Sequence, residues 1–314
     1  MQSLKQLIAA AEKNGIALGH FNISELSMLK AIFQASRDVN TPVIIGTSEG
    51  EREFIGVRQA AALIKSLREE YDYPIFLNAD HTHSLEKVEE AAKAGYDAIL
   101  FDGGALPFEE NIKQTKKAVE IAKKINPDVL IEGELGYIGS SSKILKEIPK
   151  GAAIKPEDLT KPEDAKRFVQ ETGVDLLAPA VGNIHGMFVP LEARPSSFGG
   201  RAADAGGGLP LTGFAPLEPP LDIERVRAIK RAVKIPLVLH GGSGNTDSDF
   251  LAAIEAGISI IHISTELRLA WRKGLEQGLR KDPEEIAPYK LMKPGVEEVQ
   301  KVVYNRLKLF NKLH

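Results

Sequence analysis

Three histidines in this chain of 314 residues sit at the ends of short apolar runs. His81 follows Asp80 after Ile75-Phe76-Leu77, His185 follows the run Leu176-Leu177-Ala178, and His240 closes Pro236-Leu237-Val238-Leu239. Runs of that length, bounded by turn residues and separated by helical patterns, read as buried parallel strands. The carboxyl ends of such strands are where α/β folds assemble their sites. One histidine there is commonly structural. Three converging on one mouth could hold a divalent ion and leave a position open for water or substrate. Asp80 could act there as a general base or orient a substrate hydroxyl, or it could cap the next helix.

Two further features lie at the same level. Glu132 and Glu134 alternate by two and so share one face of their strand. Carboxylates at the end of an apolar strand are costly unless paired, hydrated or metal-bound. They read either as further positions for an ion or as a salt-bridged interior. Gly241-Gly242-Ser243-Gly244 directly follows His240, and glycines let backbone N–H groups approach an anion. Ser264-Thr265-Glu266 then ends the eighth strand and opens a helix whose first amides favour phosphate. A metal, a phosphate and a carboxylate base together suggest chemistry beside the carbonyl of a sugar phosphate. Carbon–carbon cleavage, isomerisation and epimerisation all fit that description, and the residues alone leave the choice open.

The elements that must position these groups follow a regular beat. Candidate strands fall at 17–23, 43–47, 75–78, 98–101, 129–134, 176–180, 237–240 and 258–263. Helical patterns fall between them at 24–39, 56–70, 85–94, 107–124, 162–172, 223–233 and 247–256. Eight strands alternating with helices predict a (β/α)8 TIM barrel, an α/β fold. An open doubly wound sheet is the rival, but Gly19-His20-Phe21-Asn22 after the first run is not a dinucleotide fingerprint. We read residues 1–314 as one barrel domain with two departures: a long loop at 138–158 and a Pro- and Gly-rich insertion at about 189–220. A C-terminal helical extension is expected at about 283–314, where Val296, Val299, Val302, Val303 and Leu307 recur at helical spacing.

Composition narrows the class. The chain is 43% hydrophobic and 26% charged with a net charge of −3 and interspersed signs, so no nucleic-acid or membrane partner is expected. It contains no cysteine, which rules out thiolate ligands and disulfides and leaves His, Asp, Glu or backbone oxygen for any metal. No apolar run reaches the ~18 residues of a membrane span, and the first residues lack a signal-peptide core. A cytoplasmic enzyme is the expectation.

The motifs resemble those of the class II, metal-dependent ketose-bisphosphate aldolases, which act on fructose or tagatose bisphosphates. The resemblance covers nearly the whole chain apart from the insertion. It is carried by Gly19-His20-Phe21-Asn22, Thr47-Ser48-Glu49-Gly50, Asn78-Ala79-Asp80-His81, Phe101-Asp102-Gly103, Glu132-Gly133-Glu134-Leu135-Gly136, Gly182-Asn183-Ile184-His185-Gly186 and His240-Gly241-Gly242-Ser243-Gly244. It implies Asp80 as the acid/base on the C4 hydroxyl side of the cleaved bond. It implies His81, His185 and His240 as Zn2+ ligands, with Glu134 an alternative ligand as the ion moves. Gly186, Gly241, Ser243 and Thr265 would hold the dihydroxyacetone-phosphate phosphate, with a monovalent cation (Na+ or K+) nearby. Asn22, Ser48, His262 and Ser264 fall at substrate-contacting positions. The implied reaction is reversible cleavage of fructose 1,6-bisphosphate to dihydroxyacetone phosphate and glyceraldehyde 3-phosphate by a homodimer or homotetramer.

The chain departs from that pattern in places. The loop after the fifth strand reads Gly139-Ser140-Ser141-Ser142 where relatives carry a carboxylate, leaving Glu147 or water to move that proton. His262 stands where the family has asparagine. These departures keep two alternatives in view: an enzyme for tagatose 1,6-bisphosphate or another ketose phosphate, and a weakened barrel whose insertion serves as a binding scaffold.

Overall fold

The structure, a computed structural model, describes residues 2–139, 142, 144–145, 149–188 and 220–313. In chain order its strands are β1 (Leu18–Asn22), β2 (Val43–Thr47), β3 (Ile75–Thr82), β4 (Ala98–Phe101), β5 (Leu130–Leu135), β6 (Ile144–Leu145), β7 (Leu176–Pro179), β8 (Met187–Phe188), β9 (Leu237–Leu239) and β10 (Ile258–Ile263). All but β6 and β8 close into one parallel barrel in the order β1-β10-β9-β7-β5-β4-β3-β2, while β6 pairs with β8 beyond the mouth. The helices are α1 (Leu4–Asn14), α2 (Leu26–Asp38), α3 (Glu49–Ile55), α4 (Val57–Tyr71), α5 (Leu85–Ala94), α6 (Phe108–Ile125), α7 (Pro162–Thr172), α8 (Ile223–Val233), α9 (Asp247–Ala256), α10 (Thr265–Lys281), α11 (Pro288–Leu291) and α12 (Lys293–Phe310). This is the (β/α)8 barrel with a C-terminal helical extension. The predicted insertion lies outside the described residues from 189 to 219. No helix among the described residues is long and apolar enough to cross a membrane.

The barrel interior is layered. At its amino-terminal end Leu18, Ile44, Phe76, Leu130, Val238 and Ile260 pack with Leu4, Ile8 and Ala11 of α1. This helix begins at Ser3, whose side chain and that of Gln6 form a reciprocal capping box, and it ends at Gly15 in the left-handed conformation. The bottom of the barrel is thereby plugged with hydrocarbon. One layer further up the apolar filling gives way to His20, Glu132, His240 and His262, all buried. Since a layer of polar side chains is expensive unless it is satisfied, this change of composition marks the working end.

The extension belongs to the barrel's own core. Val299, Val303, Leu307 and Phe310 of α12 are fully buried in the main hydrophobic cluster. Helices α10 and α12 approach closely because a Cβ on Gly274 would lie 2.4 Å from the carbonyl oxygen of Pro294. Phe310 meets the Phe250 ring edge-on at 5.2 Å, and its carbonyl accepts the Ala17 N–H at 3.1 Å. Phe310→Ala should therefore lower unfolding free energy by about 3–5 kcal/mol in a denaturant titration. A loss under 1 kcal/mol would mean that the arm is peripheral.

Candidate active site

β3 brings Asp80 and His81 to the mouth together. A regular strand would turn these neighbours to opposite faces. Here the pairing with β4 shifts register between Ala79 and Thr82, and His81 takes φ +43°, a left-handed conformation uncommon outside glycine. The sequence suggested a strand over 75–78, and the structure carries it through the irregularity to Thr82.

His81, His185 and His240 then meet. Their ring centroids are 4.6 Å (81 to 185), 5.0 Å (81 to 240) and 5.7 Å (185 to 240) apart. His185 is placed by a loop in which its own N–H donates to the Ile138 carbonyl at 2.9 Å and Asn183 donates to the His240 carbonyl at 3.0 Å. Glu134 completes the group: one donor atom from each of His81, Glu134, His185 and His240 lies within 4.8 Å of the others. The outward-facing atoms are committed elsewhere. His81 Nδ1 is 2.8 Å from Asp102 Oδ2, and His240 Nε2 is 2.7 Å from Glu132 Oε1. The remaining buried atoms, His81 Nε2, His185 Nε2, His240 Nδ1 and Glu134 Oε2, have no hydrogen-bond partner among the described residues. Four clustered residues that each carry an unpartnered donor atom, two of them imidazoles oriented by carboxylates, fit a divalent ion with nitrogen and oxygen ligands. The pair Glu132 and Glu134 thus divides: Glu134 faces the cluster and Glu132 backs His240.

Charge is distributed unevenly over these groups. Burial works to raise the Asp80 carboxyl, but the neighbouring His81, His262 and His20 outweigh it and hold it well below the usual range. Burial works the other way on His81, where Asp80, the Asp102 hydrogen bond and Glu134 push the imidazole up to about 10. Asp102 is held at about 2, its burial outweighed by His81. Burial, then Asp102, lifts Glu134 well above the ordinary glutamate value. His185 and His262 are driven well down by burial and by nearby imidazoles, which keeps them neutral.

The predicted substrate residues line two adjoining cavities beside this cluster. One of about 250 Å³ is bordered by Asn22, Ser48, Asp80, His81 and His185. A narrower one is bordered by Asn22, Asp80, Gly186, Gly241, Ser243, His262, Ser264 and Thr265. Gly241 cannot carry a side chain, because a Cβ would lie 2.4 Å from the Ile184 carbonyl oxygen and its φ is +59°. The Ser243 hydroxyl accepts the N–H groups of Ser264 and Glu266 at 3.4 and 3.3 Å, tying the glycine loop to the first turn of α10. Asn22 donates to Asp80 Oδ2 at 2.8 Å and to Glu51 at 2.9 Å. His262 Nδ1 is 3.4 Å from Asp80 Oδ1, and its ring stacks on His20 with centroids 3.4 Å apart and planes 3° from parallel. A larger groove of about 670 Å³ between α4 and α5 holds none of these residues.

Several residues at the site were given no role from the sequence, Asp102 being quoted only within the Phe101-Asp102-Gly103 motif. Asp102 ends an apolar strand just as Asp80 nearly does, and that position was the available signal. Glu51 and Arg268 lie on helices and pair at 2.7 Å, and Arg268 borders the 250 Å³ cavity, with no local pattern to announce them. Of the loop after β5, Ser142 lines both cavities, while Ser140, Ser141 and Glu147 lie outside the described residues.

Comparison with known proteins places this geometry. Residues 2–197 and 211–314 match the family described as fructose-bisphosphate aldolase class-II. The fructose-bisphosphate aldolase of Staphylococcus aureus (strain Mu50 / ATCC 700699) is 32% identical over 311 residues, covering 98% of this chain and 96% of that protein. A probable fructose-bisphosphate aldolase of Bacillus subtilis (strain 168) is 30% identical over the same coverage, 98% and 96%. Among solved structures, the YdjI aldolase from Escherichia coli K12 superposes with a TM-score of 0.74 at 27% identity, covering 98% of this chain and 96% of that one. The chain belongs to the class II fructose-bisphosphate aldolase family.

Proposed function

We propose that this chain reversibly cleaves fructose 1,6-bisphosphate into dihydroxyacetone phosphate and glyceraldehyde 3-phosphate, with Zn2+ held by His81, His185, His240 and, alternatively, Glu134. The observation that carries the reading is the convergence of four residues that each carry an unpaired buried donor atom beside an ionised, partly unpaired Asp80. When bound, the ion supplies a Lewis acid for the carbonyl and hydroxyl oxygens of the sugar. Asp80 Oδ1 takes the C4 hydroxyl proton as the C3–C4 bond breaks and returns it in the condensation direction. Asn22 holds the other carboxylate oxygen and so fixes which lone pair meets the substrate. The amides around Gly186, Gly241, Ser243 and Thr265, with a monovalent cation, bind the triose phosphate at the start of α10. Arg268, a cation in the wall of the larger cavity, suits the second phosphate.

The metal reading has a proton signature. Without an ion, His81 is protonated below a pH of about 10, and burial beside Asp102 shifts Glu134 toward its protonated form. Ligation requires both in their basic forms, so zinc affinity falls as pH falls. Calorimetry in buffers of different ionisation enthalpy should find about one proton or more released per Zn2+ at pH 7.5. Zero release would contradict the assignment of His81.

Substrate choice is the finer question, and His262 in place of asparagine favours keeping tagatose 1,6-bisphosphate as the second reading. Steady-state cleavage of both bisphosphates, with product identification, separates them. A larger kcat/KM for fructose 1,6-bisphosphate supports the first reading; a larger value for tagatose 1,6-bisphosphate overturns it.

A further inference from the structure

α3 buries a cation whose hydrogen bonds, among the described residues, go to uncharged oxygens. Arg52 is 3% exposed. Its Nη1 donates to the carbonyls of Thr47 and Asp80, the latter at 3.0 Å, and its Nη2 donates to Thr82 Oγ1 at 3.0 Å. The Thr82 hydroxyl in turn donates to the Ala79 carbonyl at 3.3 Å. These contacts bracket His81, the one residue of the β3 irregularity with positive φ. The preceding residue, Glu51, reaches the same acid from the other side: it accepts from Asn22 Nδ2, which also donates to Asp80 Oδ2. Neighbouring residues of one short helix therefore grip Asp80 by its backbone and, through Asn22, by its carboxylate.

Fold stability alone gives little reason for this arrangement. A buried charge is commonly replaced by apolar packing without loss, and a lysine would supply the charge without the fork. A planar fork that reaches both sides of a kinked residue does something neither can: it fixes a backbone conformation that the residue itself disfavours. We propose that Arg52 is a positioning residue that clamps the Asp80 carbonyl and the Thr82 hydroxyl. It thereby holds the left-handed turn at His81 that lets the acid/base carboxylate and a metal-ligating imidazole face the mouth together. The inference rests on the roles given above to Asp80 and His81.

The test uses the full chain with Arg52→Lys, Arg52→Ala and Thr82→Val, each assayed for turnover with Zn2+ and for metal affinity and visible spectrum with Co2+. A small backbone displacement of reacting groups costs about 10²-fold in rate, and loss of a ligand's orienting partner costs about 10–100-fold in metal affinity. Arg52→Lys should therefore lower kcat by about tenfold or more with KM nearly unchanged, weaken Co2+ binding by about tenfold or more, and alter the Co2+ absorption bands. Added guanidinium ion should restore part of both properties to Arg52→Ala. Thr82→Val, which removes the hydroxyl that accepts from Arg52 and donates to the Ala79 carbonyl, should move both readouts in the same direction by about fivefold. Wild-type kcat, Co2+ affinity and spectrum in Arg52→Lys, with only a lower melting temperature, would overturn the proposal. If the Arg52 variants fail to fold, Thr82→Val decides: unchanged turnover and Co2+ affinity overturn it. A wild-type chain that cleaves no ketose bisphosphate would defeat the proposed reaction, while the Co2+ measurements would still judge the clamp.

Discussion

Asp80→Asn should keep its metal and lose turnover by about 10³-fold, within the 10²–10⁴ range of a displaced general acid/base. The substitution preserves shape and one acceptor, so the Asn22 contact survives in a rotated amide. What disappears is the charge and the basic oxygen that His81, His20 and His262 now hold in its ionised form. KM should change little, because the phosphate-binding loops lie on β7, β9 and β10 and do not depend on this side chain. Metal analysis and steady-state kinetics on the same preparation check both halves. Loss of the ion together with activity would mean that Asp80 is a ligand and not the acid/base.

His240→Ala should behave in the opposite way. It removes a ligand and also strands Glu132, which is buried and 2.7 Å from His240 Nε2. Breaking a buried pair by deleting one partner typically costs about 3–5 kcal/mol, so this variant should be destabilised as well as metal-depleted. Its affinity should fall by more than the 10–100-fold that follows loss of an outer partner. Double substitution with Glu132→Gln should recover part of the stability and none of the metal binding. The comparison distinguishes a metal ligand from a proton-transfer group by two measurements that move independently. Equal stability of His240→Ala and wild type would contradict the Glu132 contact.

Much of this site could be read from local sequence because strand ends are local features. Apolar runs of a few residues ending in His81 or His240 predict both a buried strand and the level at which its last side chain emerges, whereas His185 lies beyond the end of β7 (Leu176–Pro179) and is placed by the loop that follows it. The glycines at 241, 242 and 244 were legible for the same reason: a Cβ would lie 2.4 Å from a backbone oxygen at Gly241 and 2.6 Å at Gly242, and Gly244 takes φ +97°. What escaped depends on distant contacts or on conformations that composition does not encode. A left-handed histidine has no signature, so how Asp80 and His81 share one face could be anticipated only in outline. Arg52 and Glu51 reach the mouth from α3, a short helix over 49–55 where the sequence suggested none, and Arg268 reaches it from α10 with no local pattern to mark it. The plug α1 is a different case. Its capping box at Ser3 and Gln6 and its Gly15 stop were both written in the chain, but a short terminal helix acquires its purpose only once a barrel exists for it to close.

The most direct test of the account is metal dependence measured on one purified preparation. Zinc content and fructose 1,6-bisphosphate cleavage are recorded before exhaustive chelation, after it, and after Zn2+ is restored. The account predicts about one ion per chain at the His81, His185 and His240 cluster, activity abolished by chelation and activity recovered on reloading. Full cleavage activity by verifiably metal-free protein would contradict it.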